Sequence, residues 1–95
     1  MNKICIIGFN PAWQKTLFFP EFKKGSVNRA RSAASMASGK GINAARAVRN
    51  WGKAVPCVYQ FAGGTTGQKL LNYLNEEGIC HCTREIAART RTCTT

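Results

Sequence analysis

The sequence predicts an α/β fold with a largely parallel sheet, and three observations carry that prediction. Short apolar runs alternate with stretches of helical periodicity in the order β, insert, α, β, α, β, β. A glycine-flanked turn, Ser38-Gly39-Lys40-Gly41-Ile42-Asn43, opens directly onto the first helical run. Each helical run then stops at a glycine, Gly52 and Gly78, the residue that most easily takes the left-handed conformation ending a helix.

The elements follow in order. Lys3 to Phe9 is a nearly continuous apolar run, as expected of a buried parallel strand. Asn10-Pro11 signals a turn, which places Gln14, Lys15 and Thr16 near the carboxyl end of that strand, where α/β sheets bind ligands. Residues 16–38 are irregular and β-prone, broken by Pro20 and Lys23-Lys24-Gly25. So long an insert exceeds what a compact crossover needs and is expected to project as a flap or small β lid. Its Phe18, Phe19 and Phe22 would be exposed unless they cover a ligand or meet a second subunit.

A helix is expected over about 41–51, with Ala44, Ala47, Val48 and Trp51 facing the core and Asn43, Arg46, Arg49 and Asn50 facing out. For Arg46 and Arg49 simple solvation is the expected state. Ala54 to Phe61 reads as the second core strand. Thr65-x-x-Gln68 has the spacing of a capping box for the next helix, whose Leu70, Leu71 and Leu74 face inward. Ile79 to Arg84 is a third strand, and Arg91 to Thr95 begins a fourth.

At 95 residues the chain makes at most one small domain, and a hydrophobic fraction of 44% favours folding over disorder. The formal charge of +10 arises from 14 Lys and Arg against 4 acids. From Lys23 to Lys53 the chain is basic with no acid at all. Such a field favours anions: phosphorylated metabolites, nucleic acid or acidic surfaces. Nucleic acid is disfavoured, because the aromatics do not interleave with the basic residues as a stacking platform requires.

Cysteines stand at positions 5, 57, 80, 82 and 93, with neither a C-x-x-C pair nor zinc spacing. Cys80-His81-Cys82 on a strand would send both sulfurs to one face and the imidazole to the other, a poor ligand set. Buried free thiols are expected instead, without a metal. The odd count fits a reducing, cytoplasmic setting. No apolar run is long enough for a signal peptide or membrane span.

The glycine turn is the main functional signal. Glycine lets backbone approach a ligand closely, and a helix starting there aims unpaired N–H groups outward. Lys40 and Asn43 add a cation and an amide to the same rim, which suits a polyhydroxylated or anionic ligand. A Walker loop is excluded, since Gly41 stands where Ser or Thr would hold magnesium. The spacing also fails the G-x-G-x-x-G dinucleotide pattern.

Five collinear segments carry a resemblance: Asn10-Pro11-Ala12-x-x-Lys15-Thr16, Val27-Asn28-Arg29, Gly39-Lys40-Gly41-Ile42-Asn43-x-Ala45-Arg46, Gly63-Gly64-x-Thr66-Gly67 and Thr90-Arg91-Thr92. Across essentially the whole chain they resemble the amino-terminal third of PfkB/ribokinase-type sugar kinases, in the branch of 1-phosphofructokinases and tagatose-6-phosphate kinases. The resemblance implies a ribokinase-like, largely parallel Rossmann-like sheet: a first strand and turn over 1–15, a β lid over 16–38 and an α/β core over 39–95. It implies that Gln14, Gly39, Lys40, Gly41 and Asn43 bind the sugar and that Arg91 pairs with its phosphate, a role suited to a planar guanidinium fork. Lys24 and Arg29 of the lid could reach the same anion.

It implies as well a phosphorylated ketohexose substrate such as fructose 1-phosphate, with ATP and Mg2+ as cofactors, and a homodimer paired through the lid. Family members carry Asp where this chain has Gln14, an amide that accepts hydrogen bonds but also donates. Ser38 and Thr65 likewise replace a Gly and an Asp. The family's carboxyl-terminal half, with its ATP pocket and Asp base, is absent, and the chain contains no Asp. No catalytic residue is therefore expected here. A partial gene product is the expectation, acting as the substrate-and-lid portion of a kinase; the alternative is a non-catalytic remnant or dimerisation module.

Overall fold

Two three-stranded sheets share one pair of helices. The computed structural model describes all residues, 1–95, as β1 (Asn2–Ile7), β2 (Ala12–Phe18), β3 (Ser32–Ser38), α1 (Lys40–Trp51), β4 (Ala54–Ala62), α2 (Gly64–Glu77), β5 (Cys80–Glu85) and β6 (Arg91–Thr94). The core sheet has the order β1-β4-β5, all parallel. The lid sheet has the order β3-β2-β6, with β2 antiparallel to β3 and parallel to β6. This is the expected α/β architecture with a small β lid.

Strand order explains where the helices lie. Crossovers of one hand that step in one direction across a parallel sheet stack their helices on one face. Here α1 and α2 bury Ile42, Ala45, Leu70 and Leu74 with Val58 and Ile79 of the core strands and Ala37 of the lid. The lid is fastened to this core through Trp13 of β2, whose ring meets Tyr73 of α2 edge-on at 5.8 Å. Both glycine stops occur as expected: Gly52 (φ 78°) and Gly78 (φ 78°) are left-handed and donate back to the last helical carbonyls.

Several expectations change. The strand from Lys3 to Phe9 is not buried: β1 is an edge strand, and Ile7 is 67% exposed. Helices cover one face of its sheet, so Val55, Tyr59 and Phe61 lie open on the other. The thiols follow: Cys5, Cys80 and Cys82 are exposed, and Cys57 and Cys93 are half-buried. All five are free, as expected.

The inward stripe of α1 is rotated from the expected one. Ile42 and Ala45 are its buried residues, while Ala44 and Ala47 are exposed and Trp51 is 60% exposed, with the Lys53 ammonium 6.0 Å from its ring centroid. Nor does Thr65 cap α2. The helix starts two residues earlier, after Gly63, with no side-chain cap. The strand at Arg91 joins the lid sheet rather than extending the core sheet.

The lid strands begin at Ala12, ahead of the expected insert. Between them residues 19–31 form a loop closed on Asn28, whose side chain bonds the backbone of Lys23 and Ser26. Phe18, Phe19, Phe22 and Val27 are exposed there. No helix is long and apolar enough to cross a membrane.

Candidate functional site

At the carboxyl end of β1 the backbone of Gly8 is pressed against Gly41 in the first turn of α1. A Cβ on Gly41 would lie 2.9 Å from the Gly8 Cα, closer than such atoms approach, so both positions need glycine. Gly39 precedes the helix with φ 122°, a region that L side chains avoid. No side chain caps the turn that follows, so the first N–H groups of α1 depend on an external acceptor.

These backbone groups form one wall of a cleft of about 370 Å3. Lys40, Gly41 and Ile42 line it together with Ile7 to Pro11 and Arg91. Lys40 and Gly41 of the expected turn and Arg91 therefore line a common space, whereas Gly39 stands outside the lining. Arg91 is placed there by two steps. The loop before it is fixed where Gly63 N–H donates to Thr90 Oγ1 at 3.0 Å and Gly63 C=O accepts from Thr90 N–H at 2.9 Å. Its own Nη2 then donates to the Asn10 carbonyl at 3.2 Å, which aims the fork along the cleft.

The other expected residues are distributed less evenly. Gln14 is half-buried on the lid sheet, on the face shared with Arg91, since Ala12 pairs with Arg91 and Gln14 with Cys93. Lys15 points to the opposite face. Lys24 and Arg29 sit in the lid loop and do not line the cleft. Asn43 stands outside the lining, on the exposed side of α1, where its Oδ1 accepts from Arg46 Nη1 at 2.9 Å.

Arg46 and Arg49 are not merely solvated. Arg46 makes a two-pronged contact with Glu77, Nε to Oε2 and Nη2 to Oε1, both 2.8 Å. Its Nη2 also donates to the Ala37 carbonyl at 2.6 Å. Arg49 adds a 3.1 Å contact to the same carboxylate. With 15% and 19% of the Arg46 and Glu77 side chains exposed, the pair is largely withdrawn from water. The Arg46 hydrogen bond holds the Glu77 carboxyl below its ordinary value, against the opposing effect of burial.

Sequence reasoning missed Arg46 as a clasp joining α1, α2 and β3. It also missed Gly8, Asn10 and Thr90 as the parts that shape the cleft and aim Arg91. Gly8 at a strand end was the one available signal.

The Cys-His-Cys segment divides as expected. His81 turns toward the helices, its Nδ1 2.8 Å from Thr83 Oγ1 and its Nε2 2.8 Å from Asn75 Oδ1. Burial lowers its pKa. Gln60 Nε2 donates to the same Thr83 hydroxyl, so a neutral ring accepting at Nδ1 and donating at Nε2 completes the chain. Cys80 and Cys82 face the other way.

Magnesium prefers oxygen ligands, and the carboxylates here do not provide a set. Glu77 is held by two arginines, and Glu21, Glu76 and Glu85 are exposed and scattered. No group of three His, Cys, Asp or Glu could hold a metal ion. The residues present do not fit Mg2+.

A parallel α/β core, a β lid and an uncapped helix start beside an arginine define part of a ribokinase-like fold. The chain belongs to the pfkB family of carbohydrate kinases, whose family model matches residues 1–95. It is 32% identical over 90 residues to the 1-phosphofructokinase of Escherichia coli (strain K12), a match covering 95% of this chain and 28% of that protein. The 1-phosphofructokinase of Xanthomonas campestris pv. campestris is 36% identical over 87 residues, covering 90% of this chain and 27% of the relative. Among solved structures, phosphofructokinase-2 from Escherichia coli in complex with fructose-6-phosphate superposes with a TM-score of 0.86 at 26% identity, over 97% of this chain and 30% of that one. The chain thus spans under a third of the length of these relatives.

Proposed function

We propose that these residues form the acceptor-binding portion of a kinase that phosphorylates a hydroxyl of a sugar phosphate, fructose 1-phosphate being the favoured substrate. One observation carries the reading: the uncapped first turn of α1 and the Arg91 fork line the same cleft. A helix N-terminus and a guanidinium both prefer anions, and glycine backbone admits a hydroxylated ring close to the N–H groups. In this reading Arg91 holds the phosphate while the Gly39–Gly41 turn binds hydroxyls, with Lys40 at the rim and Asn43 and Gln14 outside the lining.

Holding the acceptor in a fixed pose is the contribution of these residues, since phosphoryl transfer depends chiefly on positioning and charge stabilisation. ATP supplies the transferred group and Mg2+ offsets its charge; both would be held outside this chain. A cytoplasmic setting is in keeping with the odd cysteine count, all five thiols being free in this structure.

Calorimetric titration with fructose 1-phosphate, fructose 6-phosphate and unphosphorylated fructose tests the reading. The phosphorylated sugars are expected to bind at least about tenfold more tightly than fructose, the worth of one charge-assisted contact at an exposed site. Equal and immeasurably weak heats from all three would contradict it.

A further inference from the structure

The open face of the core sheet collects four sulfurs. Cys5 of β1 is in register with Cys57 of β4, and Cys57 with Cys80 of β5. Side chains in register across parallel strands share a face, and Cys82 lies on that face two residues beyond Cys80. The Cys57 and Cys80 Sγ atoms are 2.7 Å apart.

We propose that Cys57 and Cys80 form a dithiol site at which a low-molecular-weight disulfide of the glutathione type is reduced and an interstrand disulfide is formed. This goes beyond the sugar site, with which it shares no residue. Neighbouring strands run about 4.8 Å apart, inside the Cα separation that a disulfide spans. Cys80 is the exposed member of the pair and attacks first. Partial burial, then the contact with Cys80, push the Cys57 thiol up to about 12, which disfavours Cys57 as the first nucleophile.

The steps balance. Cys80 thiolate attacks one sulfur of glutathione disulfide, forming a mixed disulfide and expelling one glutathione thiolate. Cys57 then gives up its proton and attacks Cys80 Sγ, expelling the second. Two protein thiols are oxidised by two electrons, one glutathione disulfide becomes two glutathione molecules, and the two thiol protons end on them. The link closes a loop around α2, which constrains the unfolded chain.

Incubation of the full chain with glutathione disulfide, followed by thiol counting in denaturant and peptide mapping, tests this. The five free thiols are expected to fall to three, with a Cys57–Cys80 peptide and a raised melting temperature. Cys57→Ser and Cys80→Ser should each abolish the link, whereas Cys82→Ser should retain it. Persistence of all five thiols, glutathione adducts alone, or a link joining another pair would overturn the proposal.

Discussion

Replacing Gly63 by alanine is expected to cost about 3 kcal/mol of stability, the upper end for overpacking a buried site, and to displace Arg91 from the cleft. Its backbone is extended (φ −157°), so strain in the residue itself is not the cause. The added Cβ would collide with the carbonyl oxygens of Ile86 and Ala88. Those carbonyls belong to the loop that Gly63 grips through both of its hydrogen bonds to Thr90. The loop must swing away, taking Arg91 with it. Urea denaturation measures the loss. A midpoint near that of the unmodified chain would show that the loop yields freely and does not position the guanidinium.

Glu77→Ala is expected to cost about 2–3 kcal/mol, somewhat below the figure for a fully buried pair because some solvent reaches both groups. The substitution leaves Arg46 withdrawn from water without its carboxylate, and removes the tie between α1 and α2. Glu77→Gln should lose less, since its amide oxygen still accepts. A pH dependence accompanies this. Folded Glu77 binds its proton less readily than the unfolded chain does, because Arg46 stabilises the charged form. Its contribution is complete above the ordinary value of 4.5 and is lost as pH falls from there through the lower folded value. Thermal melts between about pH 3 and 6 should show the two proteins converging toward the acid end. A constant gap across that range would contradict the clasp.

Local chemistry made much of this fold readable. The glycines at 52 and 78 stop their helices because a left-handed residue can accept the helix end, and that is written in one residue. The glycine turn and its helix were likewise legible, as was the split of Cys80 and Cys82 from His81, since strand alternation fixes it. Relations between distant segments were not. The rotation of α1 depends on where β4 and the lid stand around it, which turns Ile42 inward and leaves Trp51 outside. Arg46 looked like a surface cation until α2 delivered Glu77 to it. Thr65 matched a capping pattern, but Gly63 is held by Thr90 and starts the helix sooner. The exposure of β1 follows from helices stacking on one face only, which no apolar run discloses.

The site shows the same division. Glycine turn and arginine were visible as chemistry, yet their meeting rests on Asn10 and Gly8, through their backbone, and on Thr90, whose hydroxyl and N–H hold the backbone of Gly63. The central claim is that this meeting makes one pocket for a phosphorylated sugar. Amide chemical shifts followed during titration with fructose 1-phosphate test it most directly. The account predicts saturable shifts at Lys40, Gly41 and Ile42 together with Arg91, weakened about tenfold by Arg91→Ala. Shifts confined to the lid loop around Lys24 and Arg29, or unchanged by that substitution, would contradict it.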